Sequence, residues 1–312
     1  MILTPHVSMK NKKTIFVTGA GGQLGSELQE ISRKNTETEY RCIFSEVSGD
    51  YTILDITNGQ AGEKFFRNNV VDVCINTAAY TAVDAAETNE ILARKVNVDG
   101  ARNLARACQK HGALFLHIST DFVFDGTQSM PYTEGDTPHP LNVYAQTKLE
   151  SEQIALKECE KTIILRTAWL YSPFGKNFVK TILEKGKERG NLSVVTDQIG
   201  TPTYAADLAD MLMRIIHAYD YTPSEGKDAL YGIYHYTNEG VASWYDFAQG
   251  IIEYSHMTCV LAPLSTEEYS LPARRPAFSV LDKKKIRDRF GIAIPHWRES
   301  LKKCIMRMET FL

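Results

Sequence analysis

Tyr144 and Lys148 lie four residues apart in a segment whose composition predicts the start of a helix. On a helix, this spacing places the phenol and the ammonium on the same face. A neighbouring ammonium lowers the pKa of a phenol, which can then exchange a proton with a substrate near neutral pH. The pair therefore indicates acid–base chemistry, although a chain with 15 tyrosines holds roughly one such pair by chance.

Ser119 and Thr120 directly follow the apolar run at residues 114–118, which predicts a buried strand. Ligands of open α/β sheets bind at the carboxyl ends of the strands, so a hydroxyl there can bond a substrate carbonyl oxygen. Taken alone, two hydroxyl residues after a strand are an ordinary turn. Their place in the chain, 24 residues before Tyr144, favours a shared site with the helical pair.

A glycine-rich segment, Gly19-Ala20-Gly21-Gly22-Gln23-Leu24-Gly25, follows the apolar run at residues 14–17 and precedes a helical pattern. Its G-x-x-G-x-x-G spacing allows a tight turn, a close approach to a pyrophosphate and tight packing of the helix on the strand. The helix N-terminus adds unpaired N–H groups that favour phosphate. This context predicts a dinucleotide site whose cofactor contacts are Gly19, Gly22, Gln23, Leu24 and Gly25.

Glu46 ends the second apolar run, at the position expected to contact the adenosine ribose. A carboxylate there favours hydrogen bonding to a free 2′-hydroxyl and repels a 2′-phosphate. Asp55 and Ile56 are the candidates for the adenine edge. Because Arg41 lies nearby but precedes the run, the choice between NAD and NADP stays open.

Short apolar runs alternate with amphipathic helical patterns through the first half of the chain. Buried runs between helices indicate parallel strands that are covered on both faces, and right-handed crossovers give a doubly wound sheet. The predicted class is therefore α/β, a Rossmann-type doubly wound parallel sheet with a smaller C-terminal α/β substrate lobe. Strands are predicted at residues 14–17, 42–44, 71–75, 114–118 and 162–165, and a continuous helix at 84–110.

The same patterns divide the chain into three parts. Residues 1–12 are expected to form a disordered tail, and residues 13–168 a dinucleotide-binding Rossmann domain to which later segments can return. After residue 168 the helical patterns become less regular and prolines more frequent. Residues 169–312 are therefore expected to form mainly a substrate-binding lobe.

Composition excludes several classes of protein. A formal net charge of −3 over 312 residues gives no electrostatic basis for binding nucleic acid or an anionic membrane. No run approaches the 18 apolar residues of a membrane span. The six cysteines and eight histidines are scattered without the spacing of a zinc site. We expect a cytoplasmic protein that binds neither nucleic acid nor membrane.

Together, the glycine segment, the strand-end hydroxyls and the helical tyrosine and lysine resemble the extended short-chain dehydrogenase/reductase superfamily. Within it, further blocks resemble the dTDP-4-dehydrorhamnose reductase family, and the match runs from Lys13 onward. These blocks are NTAAYTAVD at 76–84, HISTDFVFDG at 117–126, PLNVYAQTKL at 140–149, RTAWLY at 166–171, DQIGTPT at 197–203, and Arg275 with Pro276.

The resemblance implies a hydride transfer from a nicotinamide to the C4 ketone of dTDP-4-dehydro-L-rhamnose, a step toward cell-surface polysaccharide. In this reaction Tyr144 would protonate the alkoxide, Lys148 would bind the nicotinamide ribose, and Thr120 would orient the carbonyl. The implied cofactor is NADPH, with NADH as an alternative, and a homodimer is compatible with the family. The other implied residues are Ala79, Tyr80 and Thr81 at the cofactor, and Val83, Asp121, Trp169 and Arg275 at the substrate.

The chain departs from the family pattern at a few positions. Glu46 and Tyr80 stand where the family often has Asp and His. Some members bind a divalent metal such as Mg²⁺ through glutamates at a dimer interface; Glu27 matches one ligand, but Ala206 occupies a second ligand position. We therefore expect no metal and interpret Glu27 as an exposed helix residue.

Three alternatives share the fold. A nucleotide-sugar 4,6-dehydratase would, by resemblance, need Asp and then Glu after the strand-end threonine, whereas Asp121 is followed by Phe122. A non-catalytic NADP-binding protein, similar to the regulatory subunit of methionine adenosyltransferase, stays open because a fold does not define a function. A reductase of another nucleotide-4-ketosugar also stays open.

Overall fold

The computed structural model describes residues 12–34, 39–46 and 52–310. Apart from Lys12, the tail expected at residues 1–12 lies outside the described residues. Across the described ranges, no helix combines the length and the apolar character that crossing a bilayer would require.

A parallel sheet forms the centre of the molecule. The strands of the described residues are β1 (Lys13–Thr18), β2 (Tyr40–Glu46), β3 (Thr52–Ile53), β4 (Val73–Asn76), β5 (Leu114–Thr120), β6 (Thr162–Thr167), β7 (Leu170–Tyr171), β8 (Asn191–Val195), β9 (Ile199–Gly200), β10 (Thr203–Tyr204), β11 (Gly232–His235), β12 (Ala242–Ser243) and β13 (Val260–Leu264). Seven of these described strands form the central sheet, in the order β11-β6-β5-β4-β1-β2-β3. The order reverses direction between β1 and β4, which creates a crevice at their carboxyl ends.

Helices cover both faces of this sheet. The α-helices of the described residues are α1 (Gln23–Lys34), α2 (Gly59–Asn68), α3 (Val83–Ala86), α4 (Glu90–Arg94), α5 (Gly100–His111), α6 (Val143–Glu158), α7 (Phe178–Arg189), α8 (Ala205–Tyr221), α9 (Trp244–Tyr254), α10 (Lys284–Phe290) and α11 (Trp297–Glu309). Three of them, with a π-helical turn at Lys95–Asp99, replace the continuous helix predicted at 84–110. That prediction is wrong because Asn89 leaves the helical conformation, with φ −125° and ψ 42°, and its side chain bonds to the Ala85 carbonyl at the end of α3.

Alternating side chains of the strands build the core on the two faces of the sheet. Ile15 and Val17 of β1 pack in the cluster that contains α1 and α8, whereas Phe16 packs in the cluster of α2 and α5. This arrangement confirms the predicted Rossmann-type doubly wound α/β class.

A further apolar cluster lies beyond the central sheet. It joins α7, α9 and α11 through buried residues such as Val179, Phe247 and Trp297. The short pairs β7 with β10, β9 with β12 and β8 with β13 lie in the same part of the chain. In contrast, β11 pairs with β6, so that this later segment belongs to the central sheet. The domain bounds at residues 168 and 169 stay a prediction.

Candidate active site

A cavity of about 720 Å³ lies at the carboxyl ends of the central strands. Its walls come from the segments that follow β1, β2, β4, β5 and β6, so it occupies the crevice expected from the strand order. The structure brings most of the predicted site residues to this cavity: Gly19, Gly22, Gln23, Leu24, Glu46, Asp55, Ile56, Ala79, Thr81, Thr120, Asp121, Tyr144, Lys148 and Trp169.

The glycine segment forms the loop between β1 and α1. Gly19 has φ +68°, and a Cβ there would lie 2.7 Å from the backbone N of Ala78. Gly25 does not line the cavity; a Cβ there would lie 2.3 Å from the Gly19 carbonyl oxygen, so it lets α1 pack against the loop. The Gly21 N–H donates to a carboxylate oxygen of Glu46 at 3.2 Å, which joins the end of β2 to the loop.

Three other predicted residues do not line the cavity. The Tyr80 N–H donates to Oδ1 of Asn97 at 2.7 Å. Val83 is the first residue of α3. Arg275 forms an ion pair with Asp84, with nitrogen–oxygen distances of 2.7 and 3.0 Å. The partners Asn97 and Asp84 do not line the cavity either.

The start of α6 positions the predicted acid–base pair. Its N-cap, Asn142, accepts a hydrogen bond from the Ala145 N–H at 2.8 Å and so defines where the helix begins. Tyr144 and Lys148 both line the cavity one turn apart. The Lys148 ammonium donates to the Ile118 carbonyl of β5 at 2.7 Å, which holds it against the strand that carries Thr120.

Burial controls the pKa values of this pair. Desolvation raises the pKa of Tyr144 to about 12, an effect partly offset by a hydrogen bond with Thr120. Desolvation also lowers the pKa of Lys148 to about 8, partly offset by the Glu152 carboxylate. The net shift of the Tyr144 pKa is therefore upward, opposite to the lowering expected from Lys148, because removal of water from the phenolate is the largest influence on it.

Asp121 is a third titratable group of the cavity. It is 2% exposed, and its Oδ1 accepts a hydrogen bond from the Thr120 hydroxyl at 3.1 Å. Burial raises the pKa of this carboxyl to about 7, although hydrogen bonds from Ser279 and Thr120 act in the opposite direction. The cavity therefore holds four polar groups next to the glycine loop: the Thr120 hydroxyl, the Asp121 carboxyl, the Tyr144 phenol and the Lys148 ammonium.

Comparison with known proteins assigns this arrangement to a family. Residues 13–310 match the family model described as the RmlD substrate binding domain. A dTDP-4-dehydrorhamnose reductase of Aggregatibacter actinomycetemcomitans is 42% identical over 294 residues, which cover 92% of this chain and 97% of the relative. The chain belongs to the RmlD family of dTDP-4-dehydrorhamnose reductases.

Solved structures of this family agree with the fold of this chain. A dTDP-4-dehydrorhamnose reductase from Clostridium acetobutylicum has 41% identity and a TM-score of 0.86, covering 95% of this chain and 99% of its own. A second, from Bacillus anthracis in complex with NADP, has 40% identity and a TM-score of 0.87 with the same coverage. The predicted family and the prediction of an oxidoreductase are confirmed.

Sequence reasoning missed part of the cavity wall in this RmlD-family chain. Gly175 and Lys176, in the loop after β7, line the cavity opposite the glycine segment's Gln23. Gly175 has φ +64°, and a Cβ there would lie 3.2 Å from Cγ of Gln23. The only signal in the sequence is a Gly-Lys dipeptide in a loop, which is too common to indicate a site.

The structure also corrects the interpretation of Glu27. This residue is 2% exposed rather than solvent-facing. Its carboxylate accepts hydrogen bonds from Ser172 Oγ at 2.8 Å and from an Arg307 Nη at 2.6 Å. The prediction of an exposed helix residue is wrong because Ser172 and Arg307, both distant in the chain, pack against and bond to this carboxylate. Within the described residues, no group of three or more His, Cys, Asp or Glu side chains is arranged to hold a metal.

Proposed function

We propose that this chain reduces the C4 ketone of dTDP-4-dehydro-L-rhamnose to dTDP-L-rhamnose with NADPH. The observation that carries the proposal is the shared cavity: Thr120, Tyr144 and Lys148 line the same space as the glycine loop. A hydride donor bound at the loop and an acid on α6 can therefore reach the carbon and the oxygen of one carbonyl group. The names of the family's members support the choice of substrate.

The residues present fit a dinucleotide. Gly19 leaves the room that a Cβ would fill, and α1 presents Gln23 and Leu24 of its first turn to the cavity. Glu46 and Asp55 line the part of the cavity next to β2 and β3, where we place the adenosine. When bound, the nicotinamide supplies the hydride. Because the relative from Bacillus anthracis holds NADP, we propose NADPH, although Glu46 disfavours a 2′-phosphate and NADH needs a direct comparison.

The chain's own residues supply the proton. With a pKa of about 12, the Tyr144 phenol is protonated at neutral pH and can donate its proton to O4 as the hydride reaches C4. Thr120, which bonds to Tyr144, orients the carbonyl oxygen toward the phenol. Lys148 binds the nicotinamide ribose, and its positive charge stabilises the phenolate that the transfer leaves behind. Solvent then returns the proton to Tyr144.

The substrate lies beyond the phenol in this proposal. Asp121 and Trp169 line the same cavity and would border the sugar. The roles of Val83, Tyr80 and Arg275, a homodimer and a cytoplasmic location stay predictions.

Oxidation of NADPH and of NADH, followed by absorbance with dTDP-4-dehydro-L-rhamnose, tests the proposal. We expect turnover, and we expect Tyr144→Phe to lower kcat by roughly 10²- to 10⁴-fold because general acid catalysis is lost. The Kd for NADPH should stay nearly constant because the phenol acts mainly in the transition state. Tyr269→Phe, at a half-exposed tyrosine, is the matched control and should keep the wild-type rate.

Other outcomes distinguish the alternatives. Absence of turnover with both cofactors, together with intact NADPH binding, would support the non-catalytic NADP-binding protein. Turnover of another nucleotide-4-ketosugar alone would keep the chemistry and change the substrate. An undiminished rate in Tyr144→Phe would refute the role of the phenol.

A further inference from the structure

Trp169 has an unusual backbone conformation at the edge of the cavity. Its φ is +47°, in the left-handed region that residues with a large side chain rarely adopt. Such a conformation costs free energy and persists only where the surrounding structure enforces it, most often at functional sites. The surroundings of Trp169 therefore need an explanation.

Trp244 supplies the first constraint, a parallel aromatic stack. The ring centroids of Trp169 and Trp244 are 3.6 Å apart, and the ring planes differ by 8°. Trp244 begins α9, directly after the N-cap Ser243, which forms a reciprocal capping box with Asp246. Because this cap defines the first turn of α9, it also defines the position of the Trp244 ring.

Gly200 supplies the second constraint, on the same indole. A Cβ at Gly200 would lie 2.7 to 2.9 Å from three atoms of the Trp169 ring, closer than real contacts allow. Gly200 pairs with Ala242 in the β9–β12 ladder, two residues before Trp244. The β9–β12 ladder therefore positions both residues that hold the indole. Gly200 leaves room for the Trp169 ring, and Trp244, just after β12, stacks on it. This accounts for the glycine in the segment at 197–203, which the proposed chemistry does not use.

We propose that Trp244 and Gly200 are positioning residues for the substrate, because they hold Trp169 in its strained conformation as a fixed wall of the cavity. The inference rests on the proposed function, in which the indole borders the sugar. An immobile aromatic surface suits the apolar C–H face of a deoxysugar, since a wall that is already ordered loses no side-chain entropy on binding. Without the stack or the gap, Trp169 relaxes to a negative φ and its ring moves.

Far-ultraviolet circular dichroism, in the region of the strong indole transition, and steady-state kinetics together test this inference. Two stacked indoles give an exciton couplet, which we expect in the wild type and not in Trp244→Leu or Gly200→Ala. Both variants should raise KM for the nucleotide sugar by about three- to tenfold, the range of an aromatic pair, with a smaller change in kcat. The Kd for NADPH should not change. Trp244→Phe keeps a stacking ring and should recover most of the KM.

Tyr245→Phe is the matched control, because it alters the neighbouring residue of α9 and leaves the stack in place. It should retain both the couplet and the wild-type KM. A wild type without the couplet would overturn the inference. So would a Trp244→Leu variant with an unchanged KM, or a parallel loss of NADPH affinity in both variants.

A binding measurement separates this inference from the proposed function. If the wild type does not reduce dTDP-4-dehydro-L-rhamnose, the proposed function fails, and calorimetry with dTDP-L-rhamnose decides the inference. Weaker binding in Trp244→Leu than in Tyr245→Phe would support it. Equal binding in the two variants, or none in the wild type, would overturn it.

Discussion

Asp121, Tyr144 and Lys148 share one cavity, and burial is the main influence on the pKa of each. Burial raises the pKa of Asp121 to about 7 and that of Tyr144 to about 12, and it lowers the pKa of Lys148 to about 8. In every case the loss of water disfavours the charged form. At neutral pH the phenol therefore keeps its proton, and much of the Asp121 population is protonated as well.

Asp121→Asn should change how stability depends on pH. The pKa of Asp121 is higher in the folded chain, about 7, than the roughly 4 of an unfolded aspartate. The folded state therefore binds the proton more tightly, and the wild type loses stability as the pH rises between these two values. Asparagine does not titrate, so the free energy of unfolding of the variant relative to wild type should rise by on the order of 3 kcal/mol across that range.

Urea unfolding of both proteins at the two ends of this pH range measures the effect. The isosteric amide keeps the shape of the side chain, so differences in packing cancel between the two pH values. Parallel stability profiles for wild type and variant would show that the Asp121 pKa is not raised.

A buried chain of polar side chains connects the phosphate loop to α6. Thr18, just before the loop, donates to Asn76 Oδ1 at 2.7 Å, and Asn76 Nδ2 lies 3.1 Å from His117 Nδ1. His117 Nε2 lies 2.9 Å from Ser151 Oγ, which donates to the Lys148 carbonyl at 2.6 Å. Burial keeps the pKa of His117 well below its usual value, so the ring is neutral and carries one N–H. Because Asn76 donates to Nδ1, that N–H is on Nε2 and is directed at Ser151.

Ser151→Ala should lower the free energy of unfolding by an unusually large amount for the loss of one buried serine hydroxyl. It leaves the Nε2–H of His117 without an acceptor in a place that water does not reach, and an unsatisfied donor costs about 1–3 kcal/mol of unfolding free energy. Denaturant unfolding measures this loss. Ser255→Ala, at a half-buried serine on the C-cap of α9, is the control and should cost less. Equal losses in the two variants would show that the polar chain does not restrain α6.

The first and last described α-helices are tied together across the molecule. Arg307 of α11 pairs with Glu27 of α1, donates to the Tyr204 hydroxyl at 3.2 Å, and lies over the Phe174 ring at 5.2 Å. Glu27 is 2% exposed and the Arg307 side chain 22%. This pair therefore links α1, which packs against the central sheet, to the cluster of α7, α9 and α11.

Arg307→Gln should destabilise the whole molecule by leaving the Glu27 carboxylate buried without a cation. We expect the free energy of unfolding to fall by roughly 2–4 kcal/mol, somewhat less than for a fully buried pair because Arg307 is partly exposed. The double variant with Glu27→Gln should recover most of the stability, and equal losses in the single and double variants would contradict this account.

Local patterns predicted much of the fold because they reflect local physics. The glycine loop was found because only residues without a Cβ fit at positions such as Gly19. The apolar runs identified β1, β4, β5 and β6 because a parallel sheet buries both of its faces. The helix predicted at 84–110 was wrong because side-chain hydrogen bonds at Asn89 compete with an otherwise helical pattern.

The sequence by itself determined the alternation of strands and helices in the first half of the chain, the loop after β1, and the common face of Tyr144 and Lys148, since each depends on neighbours within a few residues. The tertiary structure decided which side chains of the cavity are charged, and which side chains from distant parts of the chain contact one another. Desolvation of Tyr144 requires the packed site, Glu27 meets a partner 280 residues away, and Trp169 is held by segments that no periodicity connects. Burial and long-range contact are properties of packing, so they exist only once the chain has folded.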